Sequence, residues 1–597
     1  MLRDTLFLAT FLASGLLNVP SAFALEASAG KPNIVFILAD DQDAKLNSLD
    51  YMPNLQKQLV QKGTHFRKHY CTVAWCCPSR VSLWTGKAAH NTNVTNVEPP
   101  YGGYPKFIDQ GLNDNWLPVW LEHEGYNSYY TGKLMNYHHV LNYFDPFPKG
   151  FAGSDFLLDP GTYSYLNPIF QRNKSPPVHH TNEYNTDLVV EKGLGFIEEA
   201  VQAKKPFFVT IAPIVLNTNI TLAGESSKSS PIAQTSSPPI PAPRHANLFE
   251  DAVVPRTPSF NPDVPSGADW IAELPQLSPE NVTFNDLWYR QRLRSLQVID
   301  ELIDSVIEKL DAHGVLDNTY VIYSSDNGYH ISQHRLAPGK GCGIEEDINV
   351  PLVVRGPGVP SGKTVDLATS HTDLAPTFFS ILGITLRDDF DGVPIPVTEK
   401  TIEDLESSGK AKEHVQVEFW SKSTGQEYNA DYPEVNNTYK AIRIVGSSYG
   451  FYYSVWCGGD HELYDMTVDP DQMHNYYTTS SNGTFTTSGN VKINNHTYST
   501  SKISERLDGL LYVLKTCKAK TCSEPWATLM PNTGVTSLAQ AMDSKYDAYF
   551  AGLTRVEYER CEEGYIADAE GPVFENGEAY SGAGMIKKHR GPIRNRP

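Results

Sequence analysis

Two short polar pairs each follow an apolar run, and their side chains suit a cation. Asp40 and Asp41 come directly after "NIVFIL" and an alanine, and Asp326 and Asn327 follow "TYVIYS" and a serine. Carboxylate and amide oxygens are the ligands that hard divalent cations prefer, Ca²⁺ most naturally, with Mg²⁺ and Mn²⁺ as alternatives. Each pair alone also suits an ordinary turn. Because the arrangement occurs twice, the sequence predicts a metal site.

A second set of reactive residues lies in "CCPSR", which contains Cys76, Cys77 and Arg80. Disulfide frameworks rarely begin with adjacent cysteines, and metal knuckles prefer a two-residue gap. Pro78 suits the first turn of a helix, so Cys76 is expected at a helix N-terminus, where backbone N–H groups favour an anion. Arg80 lies one turn further on and can hold carboxylates. The position of Cys76 therefore suits an anion, and the alternative is that both cysteines form structural disulfides.

Apolar strands that alternate with helices are expected to position these groups. Buried strands are predicted at 33–38, 126–133, 206–213, 319–324 and 350–358. Helices are predicted over "WLPVWLEHEG" and over a long segment whose apolar residues recur from 296 to 310. This alternation predicts an α/β domain with a large, mostly parallel central sheet flanked by helices. Ligand sites in such sheets form at strand ends, where both polar pairs lie.

Changes in composition and in hydrophobic pattern along the chain predict three parts. Residues 1–24 are predicted to be a signal peptide, with a short apolar core and the cleavage site "AFA"; an uncleaved anchor is the alternative. Residues 25–414 form the catalytic domain, interrupted at 222–268 by a Ser/Pro-rich insertion that is expected to be a surface excursion. Residues 415–597 form a smaller C-terminal antiparallel α+β subdomain.

A signal peptide predicts a secreted, extracellular protein with glycosylation and disulfides. Sequons for N-glycosylation occur at seven positions: Asn93, Asn173, Asn219, Asn281, Asn436, Asn482 and Asn495. Cys517 and Cys522 are close enough in sequence to pair, whereas other pairings cannot be derived from spacing. No later stretch is apolar enough to span a membrane. A net charge of -20 over 597 residues argues against a nucleic-acid partner, whose phosphates need a basic surface.

The pattern C-x-P-S-R, followed by Thr85-Gly86-Lys87, resembles the signature of the type I, formylglycine-dependent sulfatases. Similarity to the arylsulfatase and glucosamine-6-sulfatase-like branch, in its fungal or plant form, extends over about 31–400 through "DDQD", "HNTNV", "SDNGYH" and "VPLVVRGPG". The resemblance implies an alkaline-phosphatase-like (sulfatase) fold. It also implies an arylsulfatase that cleaves small-molecule sulfate esters to a phenol and inorganic sulfate.

The resemblance also implies roles for single residues. Cys76 would be oxidised to formylglycine by a formylglycine-generating enzyme, and one hydroxyl of the hydrated aldehyde would attack sulfur. The Ca²⁺ ligands would be the modified Cys76 with Asp40, Asp41, Asp326 and Asn327. Further catalytic residues would be Arg80, Lys133 and Lys340. His330 and His334 fall where relatives carry pocket histidines, although either also suits a packing role.

One departure from the family pattern concerns the leaving group. Relatives commonly carry a histidine after the strand that matches "PFFVTIAP", and here Asn217 takes its place. Asparagine can donate a hydrogen bond but cannot shuttle a proton near neutral pH. His138 or His139 is a candidate substitute. The alternatives are therefore a catalytically impaired binding glycoprotein with the sulfatase fold and, less favoured because of the cysteine motif, a phosphoester hydrolase.

Overall fold

The computed structural model describes residues 30–223, 233–422, 435–479 and 485–574. The predicted signal peptide 1–24, the sequon at Asn482 and residues 224–232 of the predicted insertion lie outside the described residues. Within the described ranges, no helix combines the length and the apolar character that crossing a membrane requires.

The described residues of the first part of the chain contain fourteen strands, most of them in one large sheet. In chain order they are β1 Asn33–Ala39, β2 Thr64–Phe66, β3 His69–Tyr70, β4 Asn127–Lys133, β5 Gly153–Leu157, β6 Ile169–Arg172, β7 Val178–His179, β8 Phe207–Ala212, β9 Asn219–Ala223, β10 Ala233–Ser237, β11 Thr319–Ser325, β12 Leu352–Arg355, β13 Lys363–Val365 and β14 Thr369–Ser370. Ten of them form a sheet in the order β13-β2-β12-β11-β1-β8-β4-β5-β6-β7.

Ten helices accompany these strands. They are α1 Pro53–Leu55, α2 Cys76–Thr85, α3 Ala89–Thr92, α4 Gly103–Asp109, α5 Leu117–His123, α6 Asn185–Gln202, α7 Pro279–Ala312, α8 Glu345–Ile348, α9 Leu374–Ile381 and α10 Glu399–Ser408. They cover both faces of the sheet. Alternate residues of β1 therefore enter two separate cores: Phe36 packs with Trp84 of α2, and Ile37 belongs to the core that contains Ile299 of α7.

The centre of the large sheet is parallel, as the sequence predicts. Strand β1 pairs in parallel with β11 on one side and with β8 on the other, and β4 pairs in parallel with β8 and β5. The strand predicted at 350–358 exists as β12, but it runs antiparallel to β11. A helix of only four residues, α8, and loops join these two strands, and no long helical crossover returns the chain to the other end of the sheet.

A second unit follows α10. It contains the strands β15 His414–Phe419, β16 Tyr439–Val445, β17 Gly450–Trp456, β18 His461–Asp465, β19 Tyr477–Thr479, β20 Phe485–Thr487, β21 Asn490–Ile493 and β22 His496–Ser499, and the helices α11 Thr500–Leu514, α12 Lys520–Ser523, α13 Pro525–Leu529, α14 Leu538–Ala541 and α15 Asp547–Ala551. Strands β15 to β18 form an antiparallel sheet. This sheet begins beside the predicted boundary at 414, and the division into domains stays a prediction.

Two disulfides lie in the second unit. Cys517 pairs with Cys522, which confirms the local pairing that their spacing suggests, and Cys457 pairs with Cys561 over 104 residues. The free cysteines of the described residues, Cys71, Cys76, Cys77 and Cys342, are all buried.

Most residues of 236–268 in the predicted insertion are exposed or half-buried, as a surface excursion requires, and a few buried residues anchor it. Ala242, Val254 and Ser259 are fully buried. The guanidinium of Arg335 donates to the backbone carbonyls of Pro262 and Asp263 and so fastens the segment to the loop after β11. Serine and proline favour loops, but a loop is buried where its backbone carbonyls find donors of this kind.

Candidate active site

The two polar pairs meet at one edge of the sheet because β1 and β11 are parallel neighbours in register. Ala39 lies opposite Ser325, so the residues that follow each strand are adjacent. The Asp41 backbone N–H donates to Asp326 Oδ1 over 3.1 Å, and Asn327 Nδ2 donates to Asp41 Oδ1 over 2.7 Å. All four side chains of the pairs are fully buried. The structure thus brings together the oxygen donors that the sequence predicts.

Helix α2 presents Cys76 to these carboxylates. The helix begins at Cys76, after an extended Trp75, and every residue of α2 is buried. Cys76 Sγ lies 3.7 Å from Asp40 Oδ1 and 4.0 Å from Asp41 Oδ1. Burial raises the pKa of the Cys76 thiol well above its usual value. As a plain cysteine this side chain is therefore uncharged at neutral pH and a weak nucleophile.

Arg80 ties the helix to both strand ends. Its Nε donates to Asp326 Oδ2 over 2.8 Å, and its Nη2 donates to Asp40 Oδ2 over 2.9 Å. The third nitrogen, Nη1, donates to the backbone carbonyl of Lys133 at 2.5 Å. Since the guanidinium is rigid and planar, these three bonds fix the angle at which α2 meets the sheet.

Two lysines complete the charged cluster. Lys133 ends β4, and its Nζ lies 2.5 Å from Asp40 Oδ2. Lys340 comes from the loop before α8, and its Nζ lies 2.5 Å from Asp41 Oδ1 and 3.1 Å from Cys76 Sγ. Both lysine side chains are buried. The site therefore holds one thiol between carboxylates on one side and ammonium groups on the other.

The cations determine the ionisation of the carboxylates. Burial by itself would raise the pKa of Asp40, but the charges of Lys133, Arg80 and Lys340 together hold it well below its usual range. Burial likewise opposes the charge on Lys133, and the neighbouring Asp40 keeps the pKa of this amine well above its usual value. Charged forms thus persist in a buried site because each has a partner of opposite sign.

The donor set fits a hard divalent cation. Oxygen atoms of Asp40 and Asp41 and the sulfur of Cys76 lie within 4.8 Å of one another. Asn327 Oδ1 is buried and, within the described residues, accepts no hydrogen bond, although buried carbonyl oxygens are normally paired. An orphaned oxygen beside carboxylates is what a cation with oxygen ligands requires.

Asn217 also lies in the cluster. It follows β8, and its Nδ2 donates to Asp40 Oδ1 over 2.8 Å, while its backbone carbonyl accepts a hydrogen bond from Tyr165 Oη over 2.9 Å. The preceding Leu216 has φ 79°, in the left-handed region that leucine rarely adopts. The amide of Asn217 is therefore directed at a carboxylate of the predicted metal site.

The histidines considered from the sequence lie in different surroundings. His330 Nδ1 lies 2.8 Å from Asp347 Oδ1, and His334 Nδ1 lies 2.7 Å from Ser266 Oγ. Burial lowers the pKa of His334 to about 3. His138 packs between Tyr104 and a phenylalanine in the core. Among the described residues, none of these three rings hydrogen-bonds to the Cys76 cluster.

Most of the predicted glycosylation sites are accessible. Asn173, Asn281, Asn436 and Asn495 are exposed, and Asn93 is half-buried. Asn219 does not fit a glycan, because it is buried and its Nδ2 donates to Ser237 Oγ over 3.1 Å.

Sequence reasoning missed two contributors to the site. His371 is buried, and its Nδ1 lies 2.7 Å from Ser79 Oγ, which donates to the backbone carbonyl of Asp326; His371 thus supports α2 from behind. Tyr163 places its ring 4.9 Å from Lys133 Nζ. Both reach the site from distant parts of the chain, and neither has a spacing that marks it.

The chain is similar to known proteins over most of its length. Residues 32–384 match the Sulfatase family, and residues 339–497 match the family described as N-sulphoglucosamine sulphohydrolase, C-terminal. The chain is 37% identical to an arylsulfatase of Chlamydomonas reinhardtii over 93% of its own length and 85% of that protein. It is 36% identical to an arylsulfatase of Volvox carteri, with 91% and 83% covered.

A solved structure shares the fold. The structure was determined in complex with its substrate D-glucosamine-2-N,6-O-disulfate, and it matches with a TM-score of 0.57 over 75% of this chain and 93% of that one. At 19% identity the likeness concerns the fold alone. It confirms the predicted alkaline-phosphatase-like architecture.

Proposed function

The chain belongs to the sulfatase family and is an enzyme that hydrolyses sulfate esters, and we propose that it is a secreted arylsulfatase whose nucleophile is a formylglycine made from Cys76. The substrate class is small aryl sulfate esters, and the products are a phenol and inorganic sulfate. A formylglycine-generating enzyme is the partner required for maturation. Secretion is supported by the signal-like N-terminal sequence and by the two disulfides.

One observation carries this proposal. Cys76 Sγ lies at the first residue of a buried helix, 3.1 Å from the Lys340 ammonium and within 4.0 Å of two carboxylates. A structural cysteine does not need such a setting, whereas a group that attacks a sulfate ester needs both a means of ionising and positive charge for the sulfate oxygens.

Asp40, Asp41, Asp326, Asn327 and the modified Cys76 would hold Ca²⁺ in this proposal. When bound, the cation supplies positive charge that favours ionisation of the modified side chain and polarises the sulfate group. The oxygen-only character of the four polar residues and the unpartnered Asn327 Oδ1 support the choice of a hard cation.

Side chains of the protein carry out the other parts of the proposed reaction. Arg80 holds α2 and the carboxylates in place through its three hydrogen bonds. Lys133 and Lys340 lie where their ammonium groups can bind sulfate oxygens as negative charge develops. One hydroxyl on the modified Cys76 attacks sulfur, and the bond from sulfur to the phenol oxygen breaks. The second hydroxyl then loses its proton, which restores the aldehyde and expels sulfate.

Mass spectrometry of the peptide that contains Cys76, combined with hydrolysis of a chromogenic aryl sulfate, tests the proposal. Protein from a host that has the modifying enzyme should carry formylglycine at Cys76 and turn over the substrate, and Cys76→Ala should abolish turnover. Cys77→Ala is the matched control, because Cys77 is an equally buried neighbour, whereas among the described residues it is the Cys76 sulfur that lies beside Asp40 and Asp41. An unmodified thiol in active protein would overturn the mechanism.

A further inference from the structure

We propose that Tyr163 touches the substrate and donates a hydrogen bond to the leaving oxygen of the ester, where Asn217 cannot. This inference rests on the proposed function and adds a catalytic residue that lies in the loop between β5 and β6. It is carried by four observations: the position of the ring, the bonding of its hydroxyl, the anchoring of its loop and the orientation of Asn217.

The ring of Tyr163 covers the lysine of the site. Its centroid lies 4.9 Å from Lys133 Nζ, which in turn lies 2.5 Å from Asp40 Oδ2. Burial raises the pKa of the phenol well above its usual value; the Lys133 ammonium opposes this rise, and the nearby Cys76 and Asp40 add to it. Unlike Cys76 and Lys133, Tyr163 keeps part of its surface exposed. The ring therefore lies at the border between the buried cluster and solvent.

The hydroxyl of Tyr163 is oriented but not used as a donor. Asn136 Nδ2 donates to Tyr163 Oη over 2.7 Å, so one lone pair of the oxygen is occupied. Within the parts of the chain that the structure describes, the Tyr163 O–H has no acceptor of its own. A phenol can donate and accept at once. Asn136 thus holds the oxygen in place while the proton stays available to a bound substrate.

The loop that carries Tyr163 is held on both sides. Asn185 Nδ2 donates to the backbone carbonyls of Thr162 and Ser164 over 3.1 and 3.0 Å. The Ile220 N–H donates to the Tyr163 carbonyl over 3.2 Å, which joins this loop to the segment just after Asn217. A side chain on a loop fixed in this way can hold a catalytic distance without further ordering.

The orientation of Asn217 explains why another donor is needed. Its Nδ2 is directed at Asp40 Oδ1 over 2.8 Å. When the bond from sulfur to oxygen breaks, the electron pair stays on the leaving oxygen, and a hydrogen bond from Tyr163 stabilises that charge. The leaving phenolate then takes its proton from water, so the Tyr163 hydroxyl ends the cycle unchanged.

The test compares Tyr163→Phe with wild type on aryl sulfates whose phenols differ in acidity. Removing one such donor typically lowers kcat by about 10²–10³-fold, and we expect the loss to be largest for the least acidic phenols. A plot of log kcat against the pKa of the leaving phenol should become steeper in the variant. We expect KM to change less than about threefold, because the hydrogen bond forms only in the transition state and its loss lowers kcat and kcat/KM equally.

Tyr137→Phe is the matched control, because Tyr137 is a partly exposed neighbour whose hydroxyl donates to Glu98 instead. It should leave the slope unchanged. A Tyr163→Phe enzyme with an unchanged slope, or with an equal loss on every substrate, would overturn the role of Tyr163 while leaving the proposed function intact. If modified wild-type protein hydrolyses no aryl sulfate at all, the proposed function itself fails.

Discussion

Asn217 Nδ2 donates a 2.8 Å hydrogen bond to Asp40 Oδ1, so the residue that replaces the usual histidine is bonded to a carboxylate of the cluster. The same carboxyl group accepts from Arg80 and contacts Lys133 through its other oxygen. Asn217 thereby helps to fix Asp40 but adds no group that can release a proton. The absence of a proton donor at residue 217 and the hydrogen bond from Asn217 to Asp40 are separate effects, and experiments can distinguish them.

Asn217→His should restore a proton donor. Because phenols leave without much protonation and alkyl alcohols do not, we expect kcat/KM for alkyl sulfates to rise by about 10-fold or more, and kcat/KM for aryl sulfates to change little. Steady-state kinetics with one aryl and one alkyl sulfate measure this. An equal gain on both esters would show that the substitution acts on binding or on Asp40 instead.

Ca²⁺ should stabilise the folded protein through Asp41 and its neighbours. At a free concentration of about 100 times Kd, binding raises the free energy of unfolding by about 2.7 kcal/mol, which calorimetry detects as a higher Tm. Asp41→Asn should lose most of this gain. Asp155→Asn is the control, since Asp155 is a buried carboxylate of β5 that pairs with Lys192 of α6. A Ca²⁺ response that survives Asp41→Asn would contradict the ligand assignment.

Two adjacent glutamates of α8 should respond to pH with opposite signs. Burial raises the pKa of Glu346 to about 8, against an ordinary value of 4.5. The folded state then binds a proton more tightly than the unfolded state, so this group lowers stability as pH rises from about 4.5 to about 8. Glu346→Gln should therefore be more stable than wild type above pH 8, by about 2 kcal/mol or more, and equal to it near pH 4.5.

Glu345 provides the contrasting variant. Burial opposes its charge, but the Arg443 guanidinium, 2.5 Å away, lowers its pKa to about 2. Its contribution to stability is present above about pH 4.5 and is lost as pH falls towards 2. Glu345→Gln should cost about 3–5 kcal/mol at neutral pH, because it leaves a buried arginine unpaired. Urea unfolding of Glu345→Gln and Glu346→Gln at pH 5, 7 and 8.5 measures how the free energy of unfolding of each variant depends on pH. If it depends on pH in the same way for both variants, the opposite pKa shifts of the two glutamates are refuted.

The two disulfides should contribute unequally to stability. Closing a loop of about 100 residues removes entropy from the unfolded chain and so raises its free energy by about 4.7 kcal/mol at 25 °C. Closing a loop of about five residues raises it by about 2 kcal/mol. The double variant Cys457→Ser/Cys561→Ser should therefore lose more stability than Cys517→Ser/Cys522→Ser, because the bridges span 104 and 5 residues. Denaturant unfolding checks the order, and a reversed order would show that local packing outweighs loop closure.

The sequence predicted the centre of the sheet because short-range patterns encode it. The continuous apolar runs of β1, β8 and β11 indicate strands buried on both faces, and the structure places all three side by side. The direction of β12 was beyond prediction, since an apolar run of four to eight residues carries no information about its partner.

The site was predictable where residue type and spacing coincide, as in Cys76, Arg80 and the polar pairs. It was not predictable where a side chain arrives from far along the chain. His371 meets Ser79 of the cysteine motif from 292 residues further along, and Tyr163 reaches Lys133 from the next loop but one; neither His371 nor Tyr163 has a local signal. Sequence also identified Asn217 as the departure from the family, but only the fold shows that its amide is directed at Asp40.

Because α2 is completely buried, Cys76 is accessible to another protein only before the chain has folded. Cys76 is only 2% exposed, and the groups that enclose its helix include Asp326, whose carboxylate binds Arg80 from 246 residues further along the chain. At synthesis rates of about 5–20 residues per second, those residues emerge about 10–50 s after the motif. If Cys76 is modified as proposed, we expect the modifying enzyme to act on the growing chain during this interval, and slower translation between Arg80 and Asp326 should raise the fraction of molecules that carry the modification.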